Sequence, residues 1–158
     1  MERTLSQFKS VGGYIQGLTS EEPHDELYEP IAEGKWSIRE IVGHMHMWDR
    51  YLLEKMVPQM EDEARLPVFP DHDSFNRDAI NGLEGLSVEE ITDLFVKTRT
   101  KLVKALDGVD PDIRFTIGEG KRRFSPESFV KMFVKHDKHH VLQMEKKFED
   151  DRNRRVRK

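Results

Sequence analysis

Two serines, Ser37 and Ser87, are each followed three residues later by a glutamate, and a third, Ser125, stands directly before Pro126. The first two pairs read as capping boxes, in which the serine oxygen and the glutamate side chain each satisfy a backbone N–H that the first helical turn leaves without a partner. Pro126 fits a first helical position, where a missing N–H costs nothing. Apolar residues at helical spacing follow each start, which predicts helices over 37–57, 87–106 and 125–149. A fourth, over 2–18, is the weakest, because Gly12, Gly13 and Gly17 each cost a helix interior about 1 kcal/mol relative to alanine. The segment 73–82 has room for one short helix. Between the last two long helices, Phe115 and Ile117 alternate, Gly118-Glu119-Gly120 makes a turn, and the chain returns from Arg122 to Phe124, the pattern of a small β-hairpin. The predicted fold is all-α, a four-helix bundle with long connections.

The 158 residues suit one domain, over 1–150, followed by a charged tail over 151–158 that is expected to be frayed and solvated. Charged and hydrophobic residues are nearly balanced, at 35% and 36%, as befits helices with one apolar stripe and a charged outer face. No stretch approaches the roughly 20 apolar residues that cross a bilayer, and the N-terminus has no secretory-signal pattern. The expectation is a cytoplasmic protein without a membrane partner. A net charge of −4 argues against nucleic acid as a partner, the basic tail "RNRRVRK" being the local exception. With no cysteine, disulfides, thiolate metal sites and a cysteine nucleophile are excluded, so any metal must take nitrogen and oxygen ligands.

Three of the seven histidines fall within "KHDKHHVLQM", 135–144. Stepping 100° per residue along this helix gathers Phe129, Val130, Phe133, Val141, Met144 and Phe148 on one side. His140 lies near the middle of that stripe, His136 on its flank, and His139 points away. At i and i+4, His136 and His140 are stacked neighbours that can converge on one ion. On the second helix, His44 and His46 lie on opposite edges of the stripe through Ile38, Ile41, Val42, Met45, Trp48 and Leu52, and periodicity does not choose between them. Asp49 and Asp137 sit near the centres of their stripes, where a buried carboxylate is expected to meet a histidine or a bound cation, the alternative being a pair of helix-surface salt bridges.

"WSIREIVGHMHMWDRYL" resembles the second-helix signature of the DinB/YfiT-like superfamily, and "HDKHHVLQMEKKF" its last-helix signature. The stretches "GLSVEEITDLFVKTRTKLVKALDGV" and "FSPESFVKMFVKHDKHH" extend the likeness over nearly the whole chain. The resemblance implies an up-down-down-up four-helix bundle, often a homodimer, with a divalent metal held by His44, His136 and His140. Zinc or nickel comes first as the metal and iron after them. His24, His46, His72 and His139 are then structural or surface residues, and Asp49, Asp137 and Glu40 are candidates for orienting the ligands or handling protons.

Three neutral imidazoles leave an ion open positions, the pattern of a catalytic site. Relatives in the family include metal-dependent hydrolases and thiol S-transferases, which implies a small electrophilic substrate. In this cysteine-free chain a transferase needs an external low-molecular-weight thiol. The alternative is a non-catalytic, metal-binding stress-response bundle in which the ion only staples the helices.

Overall fold

Both capping boxes form: Ser37 Oγ and Ser87 Oγ accept from the backbone N–H of Glu40 and Glu90, and each glutamate reaches back to its serine. In the computed structural model, which describes residues 1–157, the elements in chain order are α1 (Glu2–Glu21), α2 (Ile38–Tyr51), β1 (Arg65–Leu66), α3 (His72–Gly82), α4 (Val88–Asp107), β2 (Thr116–Ile117) and α5 (Pro126–Arg157). Beyond Tyr51, α2 loosens into a π turn at Leu52–Met56 and then a 3₁₀ turn at Val57–Gln59. Pro58 lies at this step, and proline both withholds an N–H and crowds the preceding turn.

Four long helices make the bundle, and contacts between them give their directions. Gln16 meets Asp93 and Phe8 meets Arg99, so α1 and α4 are antiparallel. Thr4 bonds Glu127 near the starts of α1 and α5, while Glu22, just past the end of α1, pairs with Arg152 near the end of α5, so these two run parallel. Gly43 lies beside Ile91 and Asp49 bonds Arg99, so α2 and α4 run parallel. The chain therefore runs up-down-down-up, and the crossover between α2 and α4 carries α3.

One residue joins all four helices. Arg99 on α4 is 1% exposed, and its guanidinium has five N–H donors, all of them used. Nε and Nη2 donate to Asp49 of α2 at 2.6 and 3.0 Å, Nη1 and Nη2 to Asp137 of α5 at 2.7 and 3.0 Å, and Nη1 to the Phe8 carbonyl of α1 at 2.8 Å. The Phe8 ring stacks 3.7 Å from the guanidinium carbon. This polar layer divides the core. On one side lie Leu5, Phe8, Leu52, Leu102 and Phe129, and on the other Ile15, Ile41, Met45, Phe95 and Met144.

Two expectations change here. The hairpin is a single antiparallel bridge, Phe115 to Phe124, while Thr116–Ile117 pairs in parallel with Arg65–Leu66. The glycine-rich, charged return after Ile117 has nothing apolar to extend the ladder, and the upstream strand supplies it. The tail is not frayed either, since α5 stays helical to Arg157. Arg152 and Arg155 pair with Glu22 and Glu26, and buried Asp151 accepts from Lys147 and Arg154, so three of the tail's arginines have partners while residues 152–157 stay exposed to solvent as expected.

Removing the guanidinium would strand two buried carboxylates. Arg99→Met is expected to cost about 3–5 kcal/mol in urea unfolding, and Arg99→Lys also destabilises because an ammonium lacks the fork. Replacing all three groups together, Asp49→Leu, Arg99→Met and Asp137→Leu, is expected to recover most of the loss.

Candidate metal centre

His44 reaches the bundle interior from α2 because the capping box sets the start of that helix and Gly43 lets a neighbour come close. A Cβ at Gly43 would lie 2.3 Å from Leu83 Cδ1, so the bare glycine seats the end of α3 against α2. The seating brings Asn76 of α3 to His44. From the other side, α5 presents His136 and His140 one turn apart, and the Arg99 clamp on Asp137 fixes the rotation of that helix.

The three imidazoles converge through their Nε2 atoms. His44 Nε2 stands 3.2 Å from His136 Nε2, and His140 Nε2 stands 3.1 Å from the same atom. Three nitrogens bound to one ion at about 2.0–2.1 Å in tetrahedral directions would lie roughly 3.3 Å apart, close to this spacing.

The outer nitrogens settle the tautomers. Trp48 Nε1, a donor only, points at Asn76 Oδ1 at 3.0 Å, which identifies that atom as the carbonyl oxygen. His44 Nδ1, 2.9 Å from the same oxygen, must therefore carry a proton. His140 Nδ1 likewise lies 2.8 Å from Gln143 Oε1. The Nε2 atoms of both rings are then bare lone pairs aimed at the centre. Of the two close nitrogen pairs, a proton on His136 Nε2 could satisfy only one. A shared cation satisfies all three, so these donors fit a metal ion.

Electrostatics points the same way. Burial, with a smaller contribution from neighbouring imidazoles, pushes His44 down to about 4 and His136 to about 3, and burial lowers His140 as well. All three are neutral, ligand-ready bases at neutral pH.

The carboxylates offered by the sequence are engaged elsewhere. Asp49 and Asp137 bond Arg99, and Glu40 bonds Ser37, so among the described residues none of the three hydrogen-bonds a histidine. Asn76 and Gln143 hold the rings in place of those carboxylates. With two carboxylates to one guanidinium, the clamp carries an excess negative charge in a dry setting, and burial pushes Asp49 up to about 6 and raises Asp137. His46 is buried at 5% exposure with its Nδ1 unpartnered, His72 is exposed at the rim of a neighbouring cavity, and His24 pairs with Glu89 at the surface.

Arg99, Asn76 and Gln143 escaped the sequence reading. Arg99 had a signal, since it falls in the stripe Ile91, Phe95, Leu102, Leu106 at helical spacing. Asn76 and Gln143 had none, because only tertiary packing sets an amide beside a ring nitrogen.

The profile of the DinB superfamily matches residues 7–144. The chain belongs to the DinB superfamily. None of the curated proteins matches it in sequence. Among solved structures it is similar to YfiT from Bacillus subtilis, described as a probable metal-dependent hydrolase with an unusual four-helix bundle topology. That likeness has a TM-score of 0.65 at 13% identity, covering 92% of this chain and 84% of YfiT, and at that identity it speaks to the fold. Among the described residues of this DinB protein, no helix is long and apolar enough to cross a membrane.

The pKa directions give a pH dependence for the metal-free protein. An imidazole held below its usual 6.5 when folded takes up its proton only on unfolding, so its contribution is complete above 6.5 and is lost as pH falls toward about 4. Asp49, raised from 3.8 to about 6, acts in the opposite sense, favouring the folded state at low pH and losing that contribution as pH rises through about 6. His44, His46, His136 and His140 outnumber Asp49 and Asp137. Urea unfolding is therefore expected to show lower stability at about pH 5 than at about pH 7, and His44→Leu is expected to flatten the difference.

Proposed function

We propose that this DinB protein is a metal-dependent enzyme acting on small electrophilic molecules, with His44, His136 and His140 as ligands of one divalent ion. The observation that carries this is the convergence of three Nε2 atoms, two of them on rings, His44 and His140, whose outer nitrogens are held by amide oxygens. Orienting a ligand imidazole through its far nitrogen is how proteins fix ring direction and raise ligand basicity. Neutral imidazoles suit zinc or nickel, and iron after them. The ion, when bound, supplies Lewis acidity to a polar group entering from its open side.

The chain's own residues supply the rest. Asn76 and Gln143 keep the Nδ1 protons outward, Trp48 keeps Asn76 in place, and Arg99 holds α2 and α5 at the spacing the ligands need. Cavities flank the cluster on two sides. One touches His44 and His136, and the other, with Lys35 at its rim, touches His140 and Gln143. Space for two small molecules supports transfer to an external low-molecular-weight thiol, with hydrolysis as the second reading. A metal-stapled bundle without turnover is the competing class.

Metal analysis and assays separate these. Purified protein is expected to hold about one equivalent of zinc or nickel, and His136→Ala/His140→Ala to lose it. His46→Leu should keep its metal and gain up to about 1 kcal/mol in stability, since it removes a buried donor-acceptor without a partner. Full metal content in the double variant would defeat the ligand assignment. Asn76→Leu is expected to weaken affinity about 10–100-fold. Because the ligands titrate so low, zinc affinity should change little from about pH 8 to about pH 6 and fall steeply below about pH 5 in calorimetric titrations. Turnover of a model electrophile only with added thiol favours transfer, and thiol-independent turnover favours hydrolysis. Chelation that lowers the melting point of a protein with no turnover favours the staple.

A further inference from the structure

The cavity beside His44 and His136 has a volume of about 270 Å³ and walls made chiefly of Trp48, Phe69, Met132 and Phe133. None of its lining residues carries a fixed charge. In the second cavity, by contrast, Lys35 reaches the rim. The aromatic walls are held from outside. Trp48 is tied by its indole N–H to Asn76 and packs 4.3 Å from the Phe75 ring, and Phe69 packs 6.1 Å from the Phe133 ring and 6.5 Å from that of Phe129.

Phe69 is brought there by a braced loop. The β1–β2 pairing anchors its start, with the Gly118 N–H donating to the Leu66 carbonyl at 2.9 Å, and Pro67 and Pro70 stiffen the residues on either side. Gly118 has φ +56, and a Cβ there would stand 3.0 Å from Val68, so the glycine lets the loop lie flat against the turn. Phe69 is thus a half-buried ring on a connection, held by a strand pair whose two members lie 51 residues apart in sequence.

We propose that this cavity is a subsite for an uncharged, flat, apolar portion of the substrate, a substituted benzene or a fused bicycle, gripped by Trp48, Phe69, Met132 and Phe133. The proposal rests on the metal-dependent reading for its orientation, with the reacting polar end of the substrate toward His44 and His136. The size follows from volume. A dry cavity of about 150 Å³ admits benzene, so this cleft of about 270 Å³ has room for a somewhat larger ring system. The charge preference follows from the walls, because the polar groups in the lining are imidazoles and the Asn76 amide, with no fixed charge to repay the hydration that a carboxylate or ammonium would lose among the rings. Edge-to-face contacts with the surrounding rings favour a flat aromatic group over an aliphatic one of equal volume.

The subsite needs no ion, so it can be tested on metal-free full-length protein. Benzyl alcohol and benzoate, alike in shape and different in charge, are titrated while the Trp48 indole N–H resonance is followed, assigned with a Trp36→Phe variant. Saturable binding of benzyl alcohol, markedly tighter than benzoate, is expected, weakened about five-fold in Phe69→Ala. Met132→Trp, which fills the cavity from a partly exposed position without hollowing the core, is expected to weaken it as well. Absence of saturable binding, benzoate binding as tightly as benzyl alcohol, or unchanged binding in both variants with wild-type circular dichroism would overturn the subsite. Zinc uptake is measured on the same preparation. Selective benzyl alcohol binding by a protein that takes up no zinc would support the subsite and overturn the metal reading.

Discussion

A buried guanidinium with every donor used is the constraint from which the rest of this structure follows. Arg99 joins a side chain or carbonyl from each of the other three long helices, at the level where the two apolar halves of the core meet. Apolar packing alone is tolerant of small slides and rotations, since one leucine serves about as well as its neighbour. Forked hydrogen bonds are not. Slipping α5 by one residue would carry Asp137 away from the guanidinium and leave charge unpaired in the interior, which costs far more than a repacked methyl group.

That rigidity reaches the histidines directly. Asp137 follows His136 in sequence, and Asp49 lies five residues after His44, so fixing the carboxylates fixes the facing directions of α2 and α5. The imidazoles then meet at 3.1–3.2 Å without touching Arg99. Lone pairs so close are unfavourable by themselves. The clamp holds them together, so the spacing of the three rings is set by the fold itself. Asn76 and Gln143 complete it by holding the outer nitrogens of His44 and His140 from behind.

Much of this was visible in one dimension. The capping boxes placed the starts of α2 and α4 to the residue, because that motif needs only four neighbouring positions. Helical spacing separated His136 and His140 from His139 for the same reason. It could not choose between His44 and His46, since both lie on edges of the stripe and both are buried; the family resemblance favoured His44, and the fold brings that residue to the α5 pair. The carboxylates at Asp49 and Asp137 need partners, and the partner is neither a histidine nor a surface lysine but Arg99, a charge within the apolar stripe of α4. The parallel pairing of Arg65–Leu66 with Thr116–Ile117 joins segments too far apart for any local pattern to register. The helical tail owes its order to Glu22 and Glu26, which lie more than a hundred residues upstream.

Local chemistry in the chain was enough to decide where the helices begin, which face of each is apolar, and that any metal would take nitrogen or oxygen and no thiolate, because capping, periodicity and the absence of cysteine are properties of neighbouring residues or of composition. Which of those faces meet, which carboxylates are cancelled by Arg99, which amides hold the imidazoles and which rings wall the cavity were decided by packing. Those relations join α1, α2, α4 and α5 across the bundle, and a charge or lone pair finds its partner by distance in space, which the order of residues along a chain does not specify.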